Sequence, residues 1–355
     1  MKLLLRAADL RAIFQFLCKI GNADTVATVD ITDGSAWTSD GHVALVYKSP
    51  ILLPDSIQTE EKFAVNAKRM LQAVGNLLGD VTLETVGKKL RLKAGKVKYD
   101  LATEEPTPRP PEVPVSGQGE TISFNAELLK TCLDYIAPVA DTQNFADFYG
   151  TVSLHDFCFA TDGARVCRYG KDGQVNLFPP EKPLLLPARV SGLIQWGDSF
   201  LNVIDSDSVF HVGSDTHRIV VAKINTEFPD VAAYIPGEWK AELTVDATLM
   251  RECLKRIQPT LGEERKIDLT FDGDTVVLTA ESSAGISHDE MGTDIVYPDP
   301  LMEEFPLTTF ALDHRLVADL FSRLQGSVTV KFNAPDKPIW FESGEKGMLL
   351  APLVA

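Results

Sequence analysis

The chain has 355 residues, of which 45% are hydrophobic and 24% charged; this is a folded composition, too long for one core and suited to two or three domains. Its 50 acidic against 34 basic residues leave a net charge of −16, which argues against a protein that coats nucleic acid through overall positive charge. No apolar run approaches the ~18 residues of a membrane span, and Cys18, Cys132, Cys158, Cys167 and Cys253 lack metal-ligand spacing and read as small buried core residues in a reducing compartment.

In chain order, "MKLLLRAADL" is too short in its apolar run for a secretory leader, which needs about 7–15 such residues, so a cytoplasmic location is expected. "AADLRAIFQFL" from Ala7 has apolar residues at helical spacing. "TVATVDITDGSAWTSDGHVALVY" alternates as strands do, with Asp-Gly at turns. "NAKRMLQAVGNLL" predicts a second helix from Asn66. Residues 101–119 hold five prolines and read as an extended connector.

The same plan then returns. "NAELLKTCLDY" from Asn125 and "DATLMRECLKR" from Asp246 repeat the first helix at intervals of 118 and 121 residues, each opening on Asn or Asp as N-cap. Leu128, Leu129, Cys132 and Leu133 correspond to Leu249, Met250, Cys253 and Leu254. "PARVSGLIQWG" from Pro187 and "DHRLVADLFSRLQG" from Asp313 repeat the second helix at 121 and 126. Between them, "TVSLHDFCFATDGARVCRYG" and "KIDLTFDGDTVVLTAESS" repeat the strands, and Pro236-Gly237 breaks the pattern. The expectation is an α+β chain of three tandem domains, at 1–114, 115–240 and 241–355, each with an antiparallel sheet and two helices on one face.

Asp162-Gly163 recurs as Asp40-Gly41, 122 residues earlier. A catalytic acid should be singular, whereas a tight turn calls for residues that tolerate positive φ. No Ser, His or second acid completes a catalytic set by spacing, and the glycines fit no phosphate-binding loop. Both pairs are therefore read as turns.

"FATDGARV" resembles the A-T-D-G-x-R segment of bacterial DNA polymerase III beta sliding clamps. "TEFPDVAAYIP" (226–236) is similar to their G-x-F-P-D-Y-x-x-x-I-P segment, and "GMLLAPLVA" carries Pro352 as their M-P-x-x-x tail carries its proline. The resemblance covers the whole chain. It implies a head-to-tail homodimer in which two chains form a six-domain ring around double-stranded DNA without reading its sequence. It further implies a tethered DNA polymerase, an ATP-driven clamp loader, no membrane, no cofactor or metal, and no catalysis. The alternative left open is a peptide-binding hub of clamp fold that no longer encircles DNA.

The resemblance assigns three groups of residues. A partner peptide would enter a pocket formed by Phe148, Thr161, Gly163, Ala164, Arg165, Val166, Pro229, Ala233, Tyr234, Leu349, Leu350, Ala351, Pro352 and Leu353, with Arg165 orienting the peptide and Gly163 letting it approach. Arg69, Ala73 and Leu77, with Leu261 as their counterpart, would meet at the dimer interface. The DNA channel would be lined by Arg11, Lys19, Lys68, Lys130, Arg189, Arg251, Lys255, Arg256, Arg315 and Arg323. The helical segments hold eleven basic and seven acidic residues, against 23 and 43 in the rest of the chain, a mildly positive bore in an acidic shell. Where the family often has His, Met, Met and a basic residue, this chain has Ala164, Ala351, Leu353 and Val354, which fits a divergent copy such as one carried by a phage or mobile element.

Overall fold

The computed structural model describes the chain apart from residues 1, 22, 54–61, 114–119, 142–147, 171–182, 197–199, 215, 225, 264, 273, 297–306 and 354–355. Val354 and the last part of the connector thus lie outside the described residues. Contacts divide the chain into two compact units, Met1–Lys130 with Arg189–Asn225, and Thr131–Ala188 with Thr226–Ala355.

The first unit holds two antiparallel sheets. One runs β1 (Lys2–Arg6), β6 (Asp80–Val86), β7 (Lys89–Ala94) and β8 (Val97–Ala102). The other has eight strands in the order β5 (Lys62–Asn66), β2 (Val26–Asp30), β3 (Ser35–Ser39), β4 (Val43–Lys48), β16 (His217–Ala222), β15 (Val209–Gly213), β14 (Phe200–Asp205) and β9 (Glu120–Asn125). Alternation sets the buried face: β1 buries Leu3 and Leu5 and exposes Lys2, Leu4 and Arg6. The core is closed by α1 (Ala7–Leu17), burying Leu10, Ile13, Phe14 and Leu17, against α2 (Ala67–Gly75), burying Met70, Ala73 and Val74. The division between the units falls within α3 (Ala126–Ile136).

The second unit also holds two antiparallel sheets. Nine strands run β13 (Leu184–Pro187), β10 (Thr151–Leu154), β11 (Cys158–Thr161), β12 (Arg165–Tyr169), β25 (Lys346–Leu350), β24 (Ile339–Ser343), β23 (Ser327–Phe332), β17 (Ala241–Asp246) and β21 (Asp294–Val296). Four run β20 (Gly285–Gly292), β19 (Thr275–Ser282), β18 (Lys266–Asp272) and β22 (Thr308–Asp313). Here α4 (Ala247–Ile257) packs on α5 (His314–Arg323), and Phe271, Phe310 and Phe332 stack in the core with centroids 4.8–5.9 Å apart.

Two strand orders each occur three times. The first is β1-β6-β7-β8, then β9-β14-β15-β16, then β17-β23-β24-β25; the second is β5-β2-β3-β4, then β13-β10-β11-β12, then β22-β18-β19-β20. The last strands of the two orders bond antiparallel at β4–β16 and at β12–β25. The remaining last strands, β8 and β20, each end a sheet.

The helix caps follow from the residues predicted. Asp246 accepts from the amides of Thr248 and Leu249 at 2.8 and 2.9 Å, Asn66 from Arg69 at 2.9 Å and Asn125 from Leu128 at 3.0 Å. One expected helix is absent: from Pro187 the chain makes only a 3-10 turn, Ala188–Gly192. Val190, Ser191 and Gly192 are poor helix formers in succession, and Gly192 ends the run after one turn.

The proline-rich connector is also more structured than expected. Residues 101 and 102 complete β8, and the following segment is strapped to the eight-stranded sheet. Glu104 donates to the carbonyl of Ala64 at 2.8 Å, Thr107 to the Thr28 hydroxyl at 2.9 Å, and the Trp37 indole to the carbonyl of Pro108 at 3.1 Å. Arg109 lies over the Trp37 ring and pairs with Asp30, Asp33 and Glu112. Of the cysteines, Cys18 is only partly buried; the other four are buried as expected.

Candidate functional site

The site begins at the turn between β11 and β12. Asp162 accepts from the amides of Ala164 and Arg165 at 3.0 and 3.1 Å, and Gly163 has φ +88°. Asp40 does the same for His42 and Val43 at 3.0 and 2.9 Å, beside Gly41 at φ +94°. In both places the carboxylate closes a turn and the glycine supplies the left-handed residue.

Arg165 extends this turn into an alternating chain of charges. Its Nε donates to Asp162 at 2.9 Å and its Nη1 to Asp319 of α5. Asp319 also pairs with Arg323 at 2.7 Å, and Arg323 donates to the carbonyl of Tyr135 at 3.2 Å. Burial works to raise the Asp319 carboxyl, but Arg323 and then Arg165 outweigh it and hold it below the usual range. The Arg165 side chain is 10% exposed, with two nitrogens committed to Asp162 and Asp319. Those two bonds brace Arg165 as part of a wall.

That wall bounds a cavity of about 260 Å³. Phe148, Thr161, Gly163, Ala164, Arg165, Val166, Pro229, Tyr234, Leu349 and Ala351 line it, as expected. Tyr149, Val231 and Pro338 line it as well. Of these three, Val231 was signalled by its place inside the F-P-D-V-A-A-Y segment, whereas Pro338 carried no local signal. Ala233, Leu350, Pro352 and Leu353 are not among the lining residues. Leu350 is buried in register with Arg165, and the Leu353 amide bonds the carbonyl of Ala311 at 2.7 Å, leading the tail away onto β22.

Behind the cavity Val166, Val231, Trp340 and Leu349 form a buried cluster backed by Phe159, Phe228, Ile235 and Trp239. Pre-packed apolar walls of this kind suit the anchor side chains of a ligand. Among the described residues no cluster of His, Cys, Asp or Glu could hold a metal ion.

The helical cations divide into two groups. Arg11 donates to the carbonyls of Gly75 and Leu77 at the end of α2, and Arg251 to those of Phe321 and Leu324 at the end of α5. Arg189 pairs with Asp40, Arg256 with Asp289, Arg315 with Asp313 and Arg323 with Asp319. Lys19, Lys68, Lys130 and Lys255 are exposed, and Lys19, Lys68 and Lys255 form no ion pair among the described residues. Of the residues expected to line a channel, the lysines are thus exposed, while the arginines largely serve the chain itself.

The residues expected at a dimer interface differ in exposure. Ala73 and Leu77 are 7% and 2% exposed within their own unit, so their surface is already used in packing α2. Arg69 is exposed, and Leu261 is partly so.

No protein-family model matches the chain. The beta sliding clamp of Borreliella burgdorferi is 31% identical over 90 residues, which is 24% of this chain and 23% of that protein, so the match spans about a quarter of that relative. Solved structures are similar from end to end. The DNA polymerase sliding clamp from Bacillus subtilis has a TM-score of 0.84 at 15% identity, over 100% of this chain and 99% of its own. That from Caulobacter crescentus has 0.84 at 16%, over 100% of both. The chain has the fold of the DNA polymerase III beta sliding clamps.

Proposed function

We propose that this protein is a sliding clamp, a non-catalytic processivity factor that encircles duplex DNA as a homodimer and tethers a DNA polymerase through the apolar cavity. The observation that carries the reading is the likeness to beta clamps over the whole of both chains, together with a cavity lined by ten of the fourteen residues assigned to the peptide pocket.

The internal repeat supports the dimer. Last strands join antiparallel at β4–β16 and β12–β25, and β8 and β20 are the same two kinds of strand left at edges. Head-to-tail pairing of β8 with β20 of a second copy would continue the pattern and close a ring of six domains. Charge fits: β7 and β8 with their turn carry Lys89, Lys93, Lys96 and Lys98, while β19 and β20 carry Glu281 and Glu290. Exposed Val97 and Ile286 would be covered there.

Exposed lysines with few firm phosphate contacts allow a ring to slide, because such contacts carry no sequence information. Retention comes from topology. A polymerase held by its peptide rebinds before it diffuses away, through effective concentration. An ATP-driven loader would open the ring.

The internal pairing of Arg189, Arg256, Arg315 and Arg323 favours a second reading, a peptide-binding hub of the same fold that does not encircle DNA. Solution mass with small-angle scattering decides the assembly: the clamp reading expects two chains in a hollow disc, and a compact single chain at every concentration would end it. Loading onto circular duplex, followed by linearisation, separates the two readings, since only a ring is released when the circle is cut.

A further inference from the structure

A second cavity of about 300 Å³ adjoins the first, with Pro229 and Val231 bordering both. Its walls are aromatic. Phe157 and Phe159 lie 6.3 Å apart, and Phe228 faces in from the segment before the 3-10 turn Val231–Tyr234. Its rim is acidic. Asp156 is half exposed beside His155, and Asp230 stands at the N-cap of the 3-10 turn without capping it. Asp230 forms no ion pair among the described residues. Among the described residues no lysine or arginine lines the cavity.

Two comparisons within the molecule say what this surface suits. Arg168 already lies 5.1 Å from the Phe157 ring centroid, so one face of that ring holds a guanidinium. The corresponding place in the first unit, where Ser35 and Trp37 stand 122 residues before Phe157 and Phe159, has a cavity of about 210 Å³ lined by Lys48, Arg109 and Arg218. The repeated architecture makes the hollow; its sign is set separately in each copy.

We propose that the cavity of the second unit is a docking site for a peptide segment that presents an arginine or lysine beside an apolar residue. The apolar side chain packs on Phe157, Phe159 and Phe228, and the cation sits at Asp156 and Asp230. The site is separate from the polymerase-tethering cavity, and the proposal stands whether or not that cavity takes a peptide.

The test uses the full-length chain with labelled alanine methyl groups and two probes, N-acetyl-Phe-Arg-amide and N-acetyl-Phe-Glu-amide. Ala232 lines only the second cavity and Ala351 only the first, so their methyl shifts tell the sites apart. The arginine probe should move Ala232 saturably, and Asp230→Asn should weaken it roughly two- to five-fold, the scale of an exposed ion pair. Equal binding of the glutamate probe, a shift of Ala351 alone, no saturable shift of Ala232, or indifference to Asp230→Asn would each overturn the proposal. Because Asp230 is exposed and bonds no other side chain among the described residues, its variant keeps the fold, and an unchanged spectrum elsewhere checks this.

Discussion

Arg251 is a cation that the chain uses within its own fold. Its Nη1 donates to the carbonyls of Phe321 and Leu324 at 3.0 and 3.1 Å, and its Nη2 to the Thr248 hydroxyl at 2.9 Å. Those carbonyls belong to the last turn of α5 and its C-cap, where Leu324 is extended at φ −94° and the left-handed Gly326 follows only two residues later. Arg251→Met keeps the stem and removes the donors. It leaves two partly buried carbonyls without that partner and takes a positive charge from a helix C-terminus. Hydrogen bonds from charged groups contribute about 1.5–3 kcal/mol, and the helix dipole a few tenths more. Shared acceptors do not add fully, so about 2 kcal/mol is expected, equivalent to roughly 30-fold faster local opening. Amide hydrogen exchange reads this directly at Leu324, whose N–H bonds the carbonyl of Leu320 at 3.3 Å. Arg256→Gln is the control, since Arg256 is an exposed partner of Asp289 and should leave the exchange of α5 near its original rate. If Arg251→Met exchanged no faster than Arg256→Gln, the clamp on α5 would be refuted and Arg251 would return to the surface set.

His211 is buried in β15, in register with Ile204 and Val220, and among the described residues neither ring nitrogen has a hydrogen-bond partner. Burial first and Arg218 second lower its pKa from 6.5 to about 4. The unfolded chain then binds a proton that the folded chain refuses, so stability falls as pH drops from 6.5 towards 4 and falls no further from this group below that. His211→Leu should flatten the pH profile of unfolding over that window by on the order of 2 kcal/mol; an unaltered slope would show that His211 is not the titrating group. If the chain is the proposed clamp, Ala351→Trp should fill the apolar cavity and abolish stimulation of the polymerase while the dimer mass is unchanged. Loss of the dimer instead would assign the tail to assembly.

Local chemistry settled much of this protein in advance. Two-residue alternation announced the strands, Asn66, Asn125, Asp246 and Asp313 the starts of helices, and Asp40-Gly41 and Asp162-Gly163 the turns, because each depends on neighbours within a few residues. The triplicate plan was visible for the same reason, while ten of the residues that line the cavity were named through the resemblance carried by short motifs. Tertiary structure alone decided the rest. The joins of β4 to β16 and β12 to β25 pair residues 170 or more positions apart, and no local pattern names a distant partner strand. An arginine in a sequence shows a charge but not its acceptors, so Arg251 at the carbonyls of α5 and Arg165 between two aspartates could not be told from channel or ligand contacts. Ala73 and Leu77 look the same on an interface as in a core, and only the packing of α2 showed which face was already covered.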